Sequence, residues 1–236
     1  YLNEAVSQVE NSYYGYELEI LKNENRFGNI ETSNSSVFTF WDLGTSDSTA
    51  IVFAQIIDGK PIIIDYHESS GKKIEDYAMI LSSKNYRYGG HFAPHDVSKR
   101  MLFGDLITRA KEVGIDFRRV PKTNSVLEDI EICRRKIRDI FIHERCGDLL
   151  EHLDSYRESP SGRPVHDIHS HGADAFRTMV MALHLNLVNA YLTSGKNIKL
   201  PTKVGEGEDY VENWDSTSER ERPLWERFRE SYGLLP

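Results

Sequence analysis

Three aspartates, Asp42, Asp96 and Asp174, stand at positions where a folded chain can bring carboxylates together. The first two end the strand-like runs VFTFWD and HFAPHD, and the third lies near the start of an apolar helical segment. Three carboxylates form an all-oxygen ligand set, which suits Mg²⁺ or Mn²⁺ better than Zn²⁺. Two such ions, about 3.5 to 4 Å apart, can activate a water and neutralise the leaving oxygen of a phosphodiester. We therefore expect a divalent-metal site that needs no side-chain nucleophile.

The segment PVHDIHSHGADAFRTMVMALHL, 164–185, surrounds the third aspartate with other polar residues. Its apolar residues recur at helical spacing, and Ser170 is placed to cap a helix that begins near His171. His171, Asp174 and Arg177 recur every three residues on another flank of this helix. Because these residue types bind metals or phosphate, we expect the flank to line the site. Taken alone, Asp174 could equally compensate the helix dipole.

The order of predicted elements explains how the first two aspartates can meet. Runs of β-branched and aromatic residues predict strands at 37–42, 49–57 and 61–67, joined by turns into an antiparallel meander. After a helix at about 74–84, the fourth strand, HFAPHD, is expected beside the first and parallel to it. Asp42 and Asp96 would then end at the same edge of the sheet.

The second half of the chain alternates between helices and strands. The pattern predicts a helix at about 98–113, a strand at 115–120 and a helix at about 125–140, with helical signals dominant afterwards. The order β-β-β-α-β-α-β-α predicts an α/β fold, in which a mixed sheet is flanked by helices.

The charge of the chain is unevenly distributed. A net charge of −8 by itself disfavours binding to phosphates. Residues 99–138, however, contain eleven Lys or Arg against six acids. Such a distribution can offer a basic face to DNA while carboxylates bind metal, although solvated helix faces would give the same pattern.

Several functional classes lack their usual motifs. Cys133 and Cys146 form no C-x-x-C pair, which disfavours a zinc cluster and favours a reducing compartment. The most apolar stretch, 178–188, is interrupted by His184 and Asn186, so no membrane span is expected. No G-x-S-x-G elbow and no P-loop occur.

Four stretches together resemble the nuclease domain of the large terminase subunit of tailed bacteriophages and prophages. They are FWDLGTSDSTAIVFAQ at 40–55, HFAPHDV at 91–97, FRRVPK at 117–122 and HDIHSHGADAFR at 166–177, in the family's order. The resemblance implies a ribonuclease H-like fold and cleavage of double-stranded DNA with two Mg²⁺ or Mn²⁺ ions. It also implies a role in cutting viral concatemers, with little sequence specificity, during genome packaging.

The same resemblance implies roles for individual residues. Asp42, Asp96 and Asp174 match the family's metal ligands, and His171 matches a position near the metals, as a ligand or a proton carrier. Three further residues are weaker candidates, because an acid in a turn or a histidine at a strand end is more often structural: Asp47, Asp167 and His95.

The expected domain organisation follows from the family. Because Tyr1 is neither an initiating Met nor part of a signal peptide, we expect a fragment of a longer polypeptide. Residues 1–35 would be a linker from a missing packaging ATPase domain, 36–195 the nuclease domain, and 196–236 a tail with a possible docking role. Implied partners are double-stranded DNA, the ATPase domain, the portal protein and the small terminase subunit, in the host cell cytoplasm and without a membrane.

Three alternatives remain at the level of sequence. A His-Asp metal phosphohydrolase is disfavoured, because the first His-Asp pair follows a strand and that class needs its pairs on helices. A Holliday-junction-resolvase-like nuclease would use the same carboxylates in the same fold. A non-enzymatic module that docks on the portal would leave the acids inert.

Overall fold

The fold is built on a mixed β-sheet. The computed structural model describes residues 10–44, 48–95 and 105–189. Within these residues the sheet has seven strands in the spatial order β1-β7-β4-β3-β2-β5-β6. Their bounds are β1 Phe27–Gly28, β2 Val37–Asp42, β3 Ser48–Ile57, β4 Lys60–Ser70, β5 Tyr88–Pro94, β6 Phe117–Val120 and β7 Phe141–His143.

Strand pairing follows the predicted order. Strands β2, β3 and β4 form the antiparallel meander, and β5 pairs with β2 in parallel, so that Phe40 lies opposite Phe92. Strand β6 adds in parallel to β5 at one side, and β7 adds in parallel to β4 at the other. All residues of β2 are buried, which explains why its sequence is a continuous apolar and aromatic run rather than an alternating one.

Helices cover both faces of the sheet. On one face, α1, α4, α5 and α6 pack into one hydrophobic cluster, and on the other α2 and α3 pack into a second cluster. A 3-10 turn, Glu144–Cys146, precedes α5. The bounds of the helices are α1 Gly15–Asn23, α2 Ile74–Ser83, α3 Asp105–Glu112, α4 Val126–Ile137, α5 Gly147–Ser155 and α6 Ser170–His184.

Helix α1 and strand β7 were not predicted. Tyr14, Leu18 and Leu21 are fully buried at α1, inside the segment expected to be a linker. Strand β7 follows α4 directly, so the helix predicted at about 125–140 ends earlier, at Ile137. Both elements are short, and their stability comes from tertiary packing more than from local sequence preference.

Two expectations concern residues outside the described ranges. The first part of the helix predicted at about 98–113 and the tail at 196–236 both lie there. Within the described residues, no helix has the length and apolar character required to cross a bilayer.

We predict that Leu18→Ala destabilises the folded chain by about 2 to 5 kcal/mol, because it leaves a cavity between α1 and the core. Unfolding in urea, followed by circular dichroism, measures the change. Met79→Ala is the matched control, since the Met79 side chain on α2 is 50% exposed, and it should change stability by less than about 0.5 kcal/mol. Equal stabilities of the two variants would contradict a structural role for α1.

Candidate metal centre

Strand β2 carries Asp42 to the edge of the sheet. Asp42 is the last residue of this central strand and is only 3% exposed. Because β5 runs parallel to β2, the end of β5 reaches the same edge, where Pro94 and His95 line the cleft that Asp42 enters. Asp96, the second expected ligand, lies outside the described residues, as does Asp47.

Helix α6 crosses the sheet and carries Asp174 and His171. Its buried face includes Phe176 and Val180, which pack in the core under the helix. At Gly172 the helix lies so close to its neighbours that a Cβ atom would be 2.9 Å from Tyr66 Oη and 3.0 Å from a side-chain carbon of His152. Any side chain at this position would therefore force Tyr66 or His152 to shift.

The start of α6 differs from the prediction. Ser170 was expected to cap the helix, but His169 occupies the N-cap position and makes no side-chain cap hydrogen bond. Ser170 is the first helical residue, and its Oγ donates a hydrogen bond to the Asp167 carbonyl oxygen at 2.7 Å. Ser170 thus ties the first turn to the preceding loop instead of accepting from the next turn.

Asp167 also stabilises this loop. Its Oδ1 accepts a hydrogen bond from the His169 backbone N–H at 2.9 Å, and its Oδ2 lies 3.1 Å from Arg157 Nη1. Asp167 does not line the cleft that contains Asp42 and Asp174. These contacts give Asp167 a structural role in positioning the start of α6.

His171 links the helix to the strand. Its Nδ1 lies 3.2 Å from Asp42 Oδ2, and His171 is 8% exposed. If Nδ1 carries the proton, it donates to the Asp42 carboxylate. The contact restricts the orientation of the Asp42 carboxylate, in the way that a partner outside the ligand set orients a metal ligand.

Asp42 and Asp174 line the same cleft, which has a volume of about 270 Å³. The loop between β6 and α4 also lines this cleft and contributes the cation Lys122. His95 lines this cleft too. Two of the expected acids, distant in sequence, are therefore brought together with one of the weaker candidates.

Asp129 is an acid of the cleft that the sequence analysis missed. It lies in the first turn of α4, where an acid commonly compensates the helix dipole. From the sequence alone, Asp129 is therefore not distinguishable from an ordinary first-turn acid. In the structure Asp129 is 7% exposed and faces α6, and its burial raises the pKa of its carboxyl group. The usable signal is that Asp129 shares the apolar face of α4 with Ile130, Cys133 and Ile137.

Arg177 contacts both Asp174 and Asp129. Its Nη1 donates to Asp174 Oδ1 at 2.6 Å, and its Nε lies 3.8 Å from Asp129 Oδ2. Burial opposes the positive charge, but the Asp174 carboxylate keeps the pKa of Arg177 above its ordinary value. The guanidinium therefore stays charged between acids from two helices.

The described residues bring two of the three expected ligands together. Asp42 and Asp174 offer hard carboxylate oxygens to one cleft, which fits Mg²⁺ or Mn²⁺. Among the described residues, no group of three or more His, Cys, Asp or Glu is arranged to hold a metal ion. The donor chemistry fits a divalent cation, and the third expected ligand, Asp96, belongs to the segment that is not described.

Comparison with known proteins finds similarity at the level of structure. No protein-family model matches the chain, and no curated protein matches its sequence. The large terminase of a thermophilic bacteriophage is 15% identical, with a TM-score of 0.59, over 74% of this chain and 45% of that one. The P22 large terminase nuclease domain is 15% identical, with a TM-score of 0.56, over 70% of this chain and 90% of that one.

A third similar structure is the large terminase nuclease of the thermophilic phage G20c with bound cobalt. It is 16% identical, with a TM-score of 0.50, over 75% of this chain and 98% of that one. The chain thus spans less than half of the first of these proteins but nearly all of the two nuclease domains. The similarity expected from the sequence motifs is confirmed for the fold: the chain has the ribonuclease H-like fold of large terminase nuclease domains.

Proposed function

We propose that this chain is the nuclease domain of a large terminase subunit, which cuts double-stranded viral DNA concatemers during genome packaging. One observation carries the proposal: Asp42 and Asp174, from a central strand and a crossing helix, line one cleft in this fold. Carboxylates gathered at such a place repel one another unless a cation compensates them. In a metal-dependent phosphodiester hydrolase, the compensating cation is the catalytic metal ion.

The residues divide the chemical work. Asp42, Asp174 and Asp96 would hold two Mg²⁺ or Mn²⁺ ions, and the cobalt bound to the G20c nuclease supports the use of a divalent metal. The ions, when bound, supply an activated water and stabilise the charge that develops on the phosphate. His171 keeps the Asp42 carboxylate in one orientation through the 3.2 Å contact between its Nδ1 and Asp42 Oδ2.

Basic residues near the cleft support binding to the DNA backbone. Lys122 lines the cleft, and Arg118 and Arg119 lie on the neighbouring strand β6. Contacts of this kind recognise phosphates and do not distinguish bases, so we propose cleavage with little sequence specificity. Release of counterions from these phosphates makes cleavage decrease steeply as salt increases.

A longer parent chain is part of the proposal. The large terminase of which this chain covers 45% has also been solved in complex with ADP. This supports an ATPase domain before the nuclease domain, with the portal protein and the small terminase subunit as further partners in the host cell cytoplasm. We propose that residues 36–195, together with α1 and β1, form the nuclease domain, and that 196–236 dock on a partner.

We predict that the full chain nicks supercoiled plasmid with Mn²⁺ or Mg²⁺, and that EDTA abolishes nicking. Asp42→Asn, Asp174→Asn and Asp96→Asn should abolish nicking while the circular dichroism spectrum stays unchanged, because each removes one anionic ligand of nearly the same shape. Agarose electrophoresis measures the products. Asp139→Asn is the control, since Asp139 is exposed and lies outside the cleft, and it should cut like the wild type.

The outcome separates the proposal from its alternatives. Absence of nicking by the wild type at micromolar protein, with metal present, would favour a portal-docking module with inert acids. A strong preference for four-way junctions over linear duplex would indicate a resolvase-like nuclease.

We predict that His171→Gln lowers the nicking rate by about 10- to 100-fold, because the Asp42 carboxylate loses the partner that orients it. Initial rates over a range of Mn²⁺ concentrations test this, since part of the loss should be recovered at high Mn²⁺. His184→Gln, at the other end of α6, is the control and should cut normally. A His171→Gln variant with the wild-type rate at every Mn²⁺ concentration would remove this residue from the site.

A further inference from the structure

Arg177 occupies an asymmetric position between two acids of the cleft. Its Nη1 is hydrogen-bonded to Asp174 at 2.6 Å, whereas its Nε is 3.8 Å from the nearest Asp129 oxygen, beyond hydrogen-bond distance. The two acids lie on different helices, Asp174 on α6 and Asp129 on α4. A small movement of the guanidinium toward α4 would exchange one carboxylate for the other.

Asp129 has an acceptor that is ready for such a movement. Its Oδ1 is buried and has no hydrogen-bond partner among the described residues. A buried carboxylate oxygen without a hydrogen-bond partner destabilises the folded chain. A guanidinium has five N–H donors, and Arg177 Nε already lies 3.8 Å from the other oxygen of this carboxylate, so Arg177 is the nearby donor for it.

Metal binding at Asp174 provides a reason for the movement. A divalent cation and a guanidinium compete for the same carboxylate, and two positive groups at close range repel one another. When the cation binds Asp174, the hydrogen bond from Arg177 must be given up or weakened. Asp129 then offers the nearest anionic acceptor on the neighbouring helix.

We propose that Arg177 is a positioning residue that exchanges between Asp174 and Asp129 when a divalent cation binds. Before the cation binds, Arg177 holds the Asp174 carboxylate; afterwards it is held by Asp129, and Asp174 is available to the metal. The proposal rests on the proposed function, because it takes Asp174 as a metal ligand. Asp129 thereby acts on metal affinity through Arg177, without itself coordinating the ion.

Mn²⁺ titrations of the full chain without DNA, followed by calorimetry, test the exchange. We expect Asp129→Asn to weaken Mn²⁺ binding by about tenfold, because the amide is a poorer acceptor and Arg177 stays on Asp174. We expect Arg177→Met to strengthen binding by about tenfold, because the competitor for Asp174 is gone. Arg134→Met is the matched control, since Arg134 on α4 pairs with Glu17 and Glu131 outside the cleft, and its affinity should equal that of the wild type.

The double variant separates the exchange from a general effect of charge. If Asp129 acts through Arg177, then Asp129→Asn has no further effect in the Arg177→Met background. If Asp129 attracts the cation directly, the two effects on Mn²⁺ affinity add, and the proposal is overturned. If Arg177→Met does not fold, the NMR resonance of the Arg177 Nε–H group is followed instead. Mg²⁺ should shift this resonance in the wild type but not in Asp129→Asn. Equal shifts in the two proteins overturn the exchange.

Failure of the exchange can be told apart from failure of the function. A wild type that binds no Mn²⁺ at millimolar concentration overturns both. Mn²⁺ binding that Asp174→Asn leaves unchanged removes Asp174 from the metal site and overturns the exchange with it. If Asp174→Asn abolishes Mn²⁺ binding but the effects of Asp129→Asn and Arg177→Met on Mn²⁺ affinity add, the exchange is overturned and the proposed function is not.

Discussion

The buried carboxylate of Asp42 is the constraint on which the rest of the site depends. A charge taken out of water is tolerated only when it is paired or hydrogen-bonded, and Asp42 ends a central strand whose residues are all buried. His171 meets this requirement from α6, which fixes where the helix starts over the strand. Asp174 and Arg177, one and two turns farther along, then project into the same cleft.

The position of α6 is maintained by residues far from the cleft. The Phe176 ring packs edge-on against Tyr14, with ring centroids 6.0 Å apart, so α1 supports the underside of the crossing helix. Gly172 allows the backbone to approach Tyr66 on β4 and His152 on α5. The functional geometry is therefore a property of the whole helical layer, and a change at α1 is expected to reach the cleft through α6.

The central fold was predictable because its strands are buried on both faces. Continuous runs such as Val37–Asp42 are recognisable without an alignment, and the parallel pairing of β2 with β5 follows from the order of elements. Strand β7 and helix α1 are too short to be recognised, since tertiary contacts stabilise them. In the cleft, motif spacing identified Asp42 and Asp174, but it missed Asp129, because only the approach of α4 to α6 distinguishes that acid from an ordinary first-turn acid.

If the cleft binds metal as proposed, its arrangement places the stability of the fold in conflict with affinity for the metal. Asp42, Asp129 and Asp174 line one small volume, and Arg177 is the cation that contacts two of these acids. The guanidinium reduces the repulsion among them, and thereby stabilises the fold, while it competes with any metal for Asp174. In the proposed exchange, Asp129 on α4 resolves this conflict, because it pairs with the guanidinium when Asp174 binds the metal. Asp129, which neither coordinates metal nor contacts substrate, would then influence the affinity of the site for metal. A conflict of this kind between stability and function is expected where like charges lie close together.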